Sequence, residues 1–73
     1  MNNKIVLVLY DNTWDIDDIK KDLKEERYPH YFLFSLINWN IDDIDEVWTF
    51  GDVSDDEIYK LALTNNVEVW EMA

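Results

Sequence analysis

Apolar residues gather in four stretches of this chain, and the residues between them repeat at helical spacing. Lys4 to Tyr10 (Lys-Ile-Val-Leu-Val-Leu-Tyr) is a continuous β-branched and apolar run, the habit of a strand buried on both faces in a parallel sheet. Tyr31 to Ile37 reads as a second such strand and Val47 to Phe50 as a third, closed by Gly51, the only glycine. Val67 to Met72 alternates apolar and polar residues, as a half-exposed edge strand does. Between them, Ile16, Ile19 and Leu23 share one helical face and predict a helix from Ile16 to about Arg27. Lys20, Lys21, Lys24 and Arg27 complement the negative end of its dipole, and Pro29 prevents continuation. A second helix, Ile41 to about Asp45, has room for little more than one turn. A third runs from Asp55 to about Thr64, with Asn65 and Asn66 suited to its C-cap.

A repeated motif marks the three helix starts. Trp14-Asp15-Ile16-Asp17-Asp18-Ile19 is matched by Trp39-Asn40-Ile41-Asp42-Asp43-Ile44 and more loosely by Val53-Ser54-Asp55-Asp56-Glu57-Ile58. Asp15, Asn40 and Ser54 fall at the N-cap, where a side-chain oxygen accepts a bond from a backbone N–H that the helix leaves unsatisfied. Asp18, Asp43 and Glu57 fall three residues on, as in a capping box, and each flanking apolar pair has the spacing of a hydrophobic staple.

The predicted order is therefore βαβαβαβ. Such alternation implies parallel strands joined by right-handed crossovers. The expected fold class is α/β: one domain over residues 1–73, a miniature doubly wound four-stranded parallel sheet in the order 2-1-3-4 with a very short second helix. Were that helix absent, the second and third strands would be free to pair antiparallel through a longer loop.

Charge changes this picture more than composition does. The 73 residues carry 17 acidic against 6 basic side chains, a formal net charge of −11. That sign excludes direct binding to nucleic acid or an anionic membrane, since both require cationic side chains to displace counterions. It favours a basic protein surface as partner. The absence of cysteine, of a basic start before an apolar leader and of a run of roughly 20 apolar residues predicts a cytoplasmic protein.

Parallel strands would bring all three helix starts to the carboxyl edge of the sheet, where ligands bind in doubly wound folds. The candidate partner-binding residues are accordingly Asp11, Asp15, Asp17, Asp18, Asp42, Asp43, Asp52, Asp55, Asp56 and Glu57. Capping accounts for Asp15, Asp18, Asp43 and Glu57 and explains Asp11, Asp42, Asp52, Asp55 and Asp56 less well. Helix N-termini in such folds commonly hold phosphate. Here carboxylates take those places, and no glycine-rich phosphate loop is present. Asp11 and Asp52, at adjacent strand ends, are the most plausible oxygen ligands for a divalent cation, but their spacing fits no established calcium loop, and neither a metal nor an organic cofactor is expected. The lone His30 has no accompanying nucleophile, so no catalytic residue and no enzymatic activity are expected. Trp14 and Trp39 read as staples, Phe32, Phe34 and Trp48 as core, and Trp70 as an exposed aromatic on an edge strand that offers homodimerisation.

One stretch resembles a known family. Asp45-Glu46-Val47-Trp48-Thr49-Phe50-Gly51-Asp52, followed by Ser54, a helix and Val67-Glu68-Val69, is similar to the C-terminal half of nucleoside 2-deoxyribosyltransferase-like proteins. The resemblance implies a Rossmann-like fold and sets Glu57 near the position of the family's catalytic glutamate. In general profile the chain also resembles small acidic phage inhibitors of the DNA-mimic and anti-CRISPR type. The expected function is binding to a basic protein, a nuclease or other nucleic-acid-binding protein, that it inhibits or modulates. The alternative is a module that binds a nucleoside or a metal-bridged nucleotide.

Overall fold

The computed structural model describes residues 4–25 and 29–73. Its elements are β1 (Ile5–Tyr10), α1 (Ile16–Glu25), β2 (Tyr31–Leu33), a single 3-10 turn (Ile41–Asp43), β3 (Glu46–Phe50), α2 (Glu57–Thr64) and β4 (Glu68–Glu71). The four strands form one sheet in the order β2-β1-β3-β4, and each neighbouring pair is parallel. This is the expected miniature doubly wound sheet. The last residues expected of the first helix, through Arg27, lie outside the described residues.

The central strand has apolar side chains on both faces, and these divide the core in two. Val6 and Val8 point to one face and join Ile19 and Leu23 of α1 with Trp48 and Phe50 of β3. Leu7 and Leu9 point to the other and join Leu33, Ile44, Val47, Val53 and Ala62 of α2. The helices therefore cover opposite faces. Two staple pairs are each held within one cluster: Trp14 with Ile19 on the α1 side, and Trp39 with Ile44 on the α2 side. Val53 and Ile58 share the α2-side cluster as well, but with Asp56 as the N-cap of the last helix they do not flank its cap as a staple does. Trp14 meets Phe50 edge-on at 5.4 Å between ring centroids.

Three sequence expectations need correction. The second strand ends at Leu33 rather than Ile37. Ile37 is 75% exposed, and Asn38 has a left-handed backbone (φ 66°), so the chain has already left the sheet. The third helix begins at Glu57, not Asp55, and its N-cap is Asp56, not Ser54. Residues Val53 to Asp56 form a turn closed by a 2.9 Å bond from the Asp56 N–H to the Val53 carbonyl, and the Asp56 carboxylate accepts from the Ile58 N–H at 2.8 Å. Ser54 instead gives its N–H and hydroxyl to Asp52. Replacing Asp56 with alanine should cost about 1 kcal/mol in urea unfolding, whereas Ser54→Ala should cost less.

The start and end of the helical segments otherwise follow the sequence. Asp15 caps α1 by accepting from the Asp17 N–H at 2.8 Å. Asn65 closes α2, with its side-chain amide on the Leu61 carbonyl at 2.8 Å, and Asn66 takes the left-handed conformation (φ 59°) that follows a C-cap.

Candidate protein-interaction surface at the carboxyl edge of the sheet

The loops after β1 and β3 leave the sheet in opposite directions, one toward α1 and the other toward α2. Between those two strands lies the topological switch point, the usual ligand crevice of a doubly wound sheet. In this protein a carboxylate bridges it. One Asp11 oxygen accepts from the Thr13 N–H (2.9 Å) and the Thr13 hydroxyl. Its other oxygen accepts from the Asp52 N–H across the switch point at 2.8 Å. The Asp11 carboxylate also occupies the place where a Cβ on Gly51 would stand, and Gly51 has φ +84°. Glycine is therefore required there twice over, for its backbone and for its lack of a side chain.

These bonds hold Asp11 below the ordinary carboxylate pKa of 3.8, the Thr13 hydroxyl contributing most and the N–H groups of Asp52 and Thr13 following. Asp52 is lowered by the Ser54 N–H and hydroxyl, against the opposing effects of its surroundings and of the nearby Asp11 charge. Lowered folded values mean that the stabilisation is complete above 3.8 and is lost as pH falls through the folded values. Urea midpoints taken from neutral pH down through the carboxylate range should decline on the acid side, and Asp11→Asn should flatten that limb.

The ten candidate acids do not share one edge. Asp11, Asp15, Asp17, Asp18, Asp52, Asp55, Asp56 and Glu57 lie at the carboxyl edge, at the ends of β1 and β3 and the starts of α1 and α2. Asp42 and Asp43 do not. Asp42 lines a cavity with Asp45, Asn65, Asn66, Val67 and Glu68, at the opposite edge where β3 and β4 begin. The expectation that every turn between a strand and the next element sits at the carboxyl edge fails for the crossover from β2. That strand stops early, and Leu36, Trp39 and Ile41 run along the α2-side core before the 3-10 turn forms.

Among the eight that remain, two kinds of acid separate. Asp11, Asp15, Asp52 and Asp56 accept backbone or hydroxyl donors and shape their loops. Among the described residues, Asp17, Asp18, Asp55 and Glu57 have no hydrogen-bonding or ionic partner for their carboxylates, and all four are exposed. This reverses part of the sequence reading. Asp18 and Glu57 are not engaged in capping boxes, while Asp11, Asp52 and Asp56 are structural. Asp56 and Asp11 also share one cleft with Asn12, Trp14 and Phe34, of about 420 Å³. The capping box that does form is at the other edge, between Asn40 and Asp43, where Asp43 accepts from the Asn40 N–H at 3.1 Å.

The one ion pair among the described residues is also at the far edge. Lys4 Nζ meets a Glu46 carboxylate oxygen at 2.6 Å, and the Trp48 indole N–H donates to the other oxygen at 2.9 Å. Glu46 is 5% exposed. Burial pushes its pKa up, but Lys4 and the indole together hold it below the ordinary value; Lys4 is raised by the same bond. The sequence reading missed this pair. Its available signal was the two-residue spacing of Glu46 and Trp48 on one strand face. No rim acid is neutralised by a base among the described residues. Nor do any three His, Asp or Glu side chains there cluster so as to hold a metal ion.

The chain matches no family model, and no curated protein or solved structure matches it. Among the described residues no helix is long and apolar enough to cross a membrane.

Proposed function

We propose that this protein binds a basic protein surface through the carboxyl edge of its sheet and thereby inhibits or modulates a nucleic-acid-handling partner. The observation that carries the reading is the set of four exposed carboxylates, Asp17, Asp18, Asp55 and Glu57, free of partners among the described residues and set on two helix starts beside one cleft. Carboxylates that shape a loop are already committed. Those four are left to meet an external cation. Two helix N-termini on opposite faces of one sheet present them as a rim, the arrangement by which a row of phosphates is imitated. The nucleotide-module alternative has less support, because the cleft at this edge is lined by Asp11 and Asp56, whose charge repels phosphate.

Capture from a cell lysate, washed first at low and then at high salt, tests the reading. A basic nucleic-acid-handling protein retained at low salt and released at high salt is the expected result, since exposed charge pairs are screened within about 3 Å at 1 M salt. Retention that is indifferent to salt, or a partner with an acidic surface, would overturn it.

A further inference from the structure

The outer edge of β4 is not used by the acidic rim. β4 has β3 on one side only. The Met72 N–H donates to the Thr49 carbonyl at 2.8 Å, and main-chain groups alternate sides along a strand. Glu68, Trp70 and Met72 therefore turn theirs toward β3, while Val69 and Glu71 turn theirs outward. Among the described residues nothing pairs with that edge. Trp70 stands beside Trp48, its register partner. It does not join the cluster under α1 and is 50% exposed.

We propose that β4 pairs antiparallel with β4 of a second copy about a two-fold axis through Trp70, joining two sheets edge to edge. The residues select this partner and this register. With the axis at Trp70, Val69 faces the partner's Glu71 and Glu71 faces the partner's Val69, so every outward N–H and C=O on both strands is matched. Trp70 faces its own symmetry mate in a non-hydrogen-bonded pair, where side chains approach most closely. Glu68 faces the partner's Met72. No glutamate opposes a glutamate.

Neighbouring registers fail. An axis at Glu71 sets two like charges directly opposite, which is destabilising. An axis at Val69 calls on the Val67 N–H, which is already given to the Ala62 carbonyl at 3.0 Å. Antiparallel pairing also sends the two acidic rims to opposite edges of the joined sheet, where their mutual repulsion is least. Each copy still carries a net charge of −11, so association should strengthen as salt screens that repulsion. This is opposite in sign to the salt response of the rim with a basic partner, and the two interactions are separable on that ground.

The test combines sedimentation equilibrium of the unmodified chain, over a concentration series at low and high salt, with a single-cysteine scan. The chain has no cysteine of its own, so each variant reports one position. A dimer mass that grows with concentration and with salt is expected. Under mild oxidation Trp70→Cys should cross-link to itself at least tenfold faster than Val69→Cys or Glu71→Cys alone, while a mixture of those two should cross-link to each other. A monomer mass throughout, leaving the edge to a strand of some other protein, would overturn the proposal. So would equal cross-linking at the three positions.

Discussion

Gly51→Ala is expected to destabilise the protein by about 2–4 kcal/mol, from a left-handed backbone on a residue with a side chain and from collision with a neighbour. A domain of this size has roughly 4–11 kcal/mol in all, so the loss is a large fraction of its stability. Two independent observations support the figure: φ of +84° at Gly51, and the Asp11 carboxylate standing where the new methyl group would go. The contributions can be separated. In Asp11→Ala/Gly51→Ala the collision is relieved and the backbone cost stays, so the double variant should be more stable than the sum of its single changes allows. Urea unfolding of the four proteins measures this. Strict additivity would mean that Asp11 moves aside without cost, and its bridge to the Asp52 N–H would then not be firmly held.

Reversing the four uncommitted carboxylates together (Asp17→Lys, Asp18→Lys, Asp55→Lys and Glu57→Lys) should weaken capture of a basic partner roughly 100-fold. Each exposed charge contributes little, but four reversals act in the same direction and also slow encounter. Asp42→Lys with Asp43→Lys is the control, with two reversals against four. It adds positive charge at the opposite edge and should change capture only through the overall charge. Thermal denaturation should show both variants folded, because among the described residues the four rim carboxylates have no hydrogen bond or ion pair to lose, and the control loses only the exposed bond from the Asn40 N–H to Asp43. Equal loss per reversed charge from the two variants would mean that the partner reads net charge and not the rim.

The sheet was legible because its two central strands are unambiguous. Ile5 to Tyr10 can be buried on both faces only inside a layered α/β domain, and the alternation from Val67 onward marks an edge. Two parts of the rim were not legible, for local reasons. Ser54, Asp55 and Asp56 are three capping residues in a row, and sequence spacing favours the first. The structure selects the third because Asp52 has engaged Ser54. Asp42 and Asp43 repeat the motif of Asp17 and Asp18 almost letter for letter, yet stand at the other edge. A motif specifies a helix start, but where that start sits depends on how far the preceding strand runs. The division between committed and uncommitted acids was hidden for a similar reason. Hydrogen bonds from Thr13, Ser54 and backbone N–H groups decide it, and those depend on turns that a residue pattern does not resolve.

The strand order has a consequence for how the chain folds. Ile5 pairs with Tyr31, Val6 with Glu46 and Glu46 with Glu68, so no two adjacent strands are close in the chain and none can zip up from a tight hairpin. Each pairing must close a loop of roughly twenty residues or more before any contact compensates for the lost chain entropy. Although only 73 residues long, the protein should fold in milliseconds or slower instead of the microseconds of helical domains its size. Its last strand, with the exposed Trp70, is left waiting for a template until β3 has found its place.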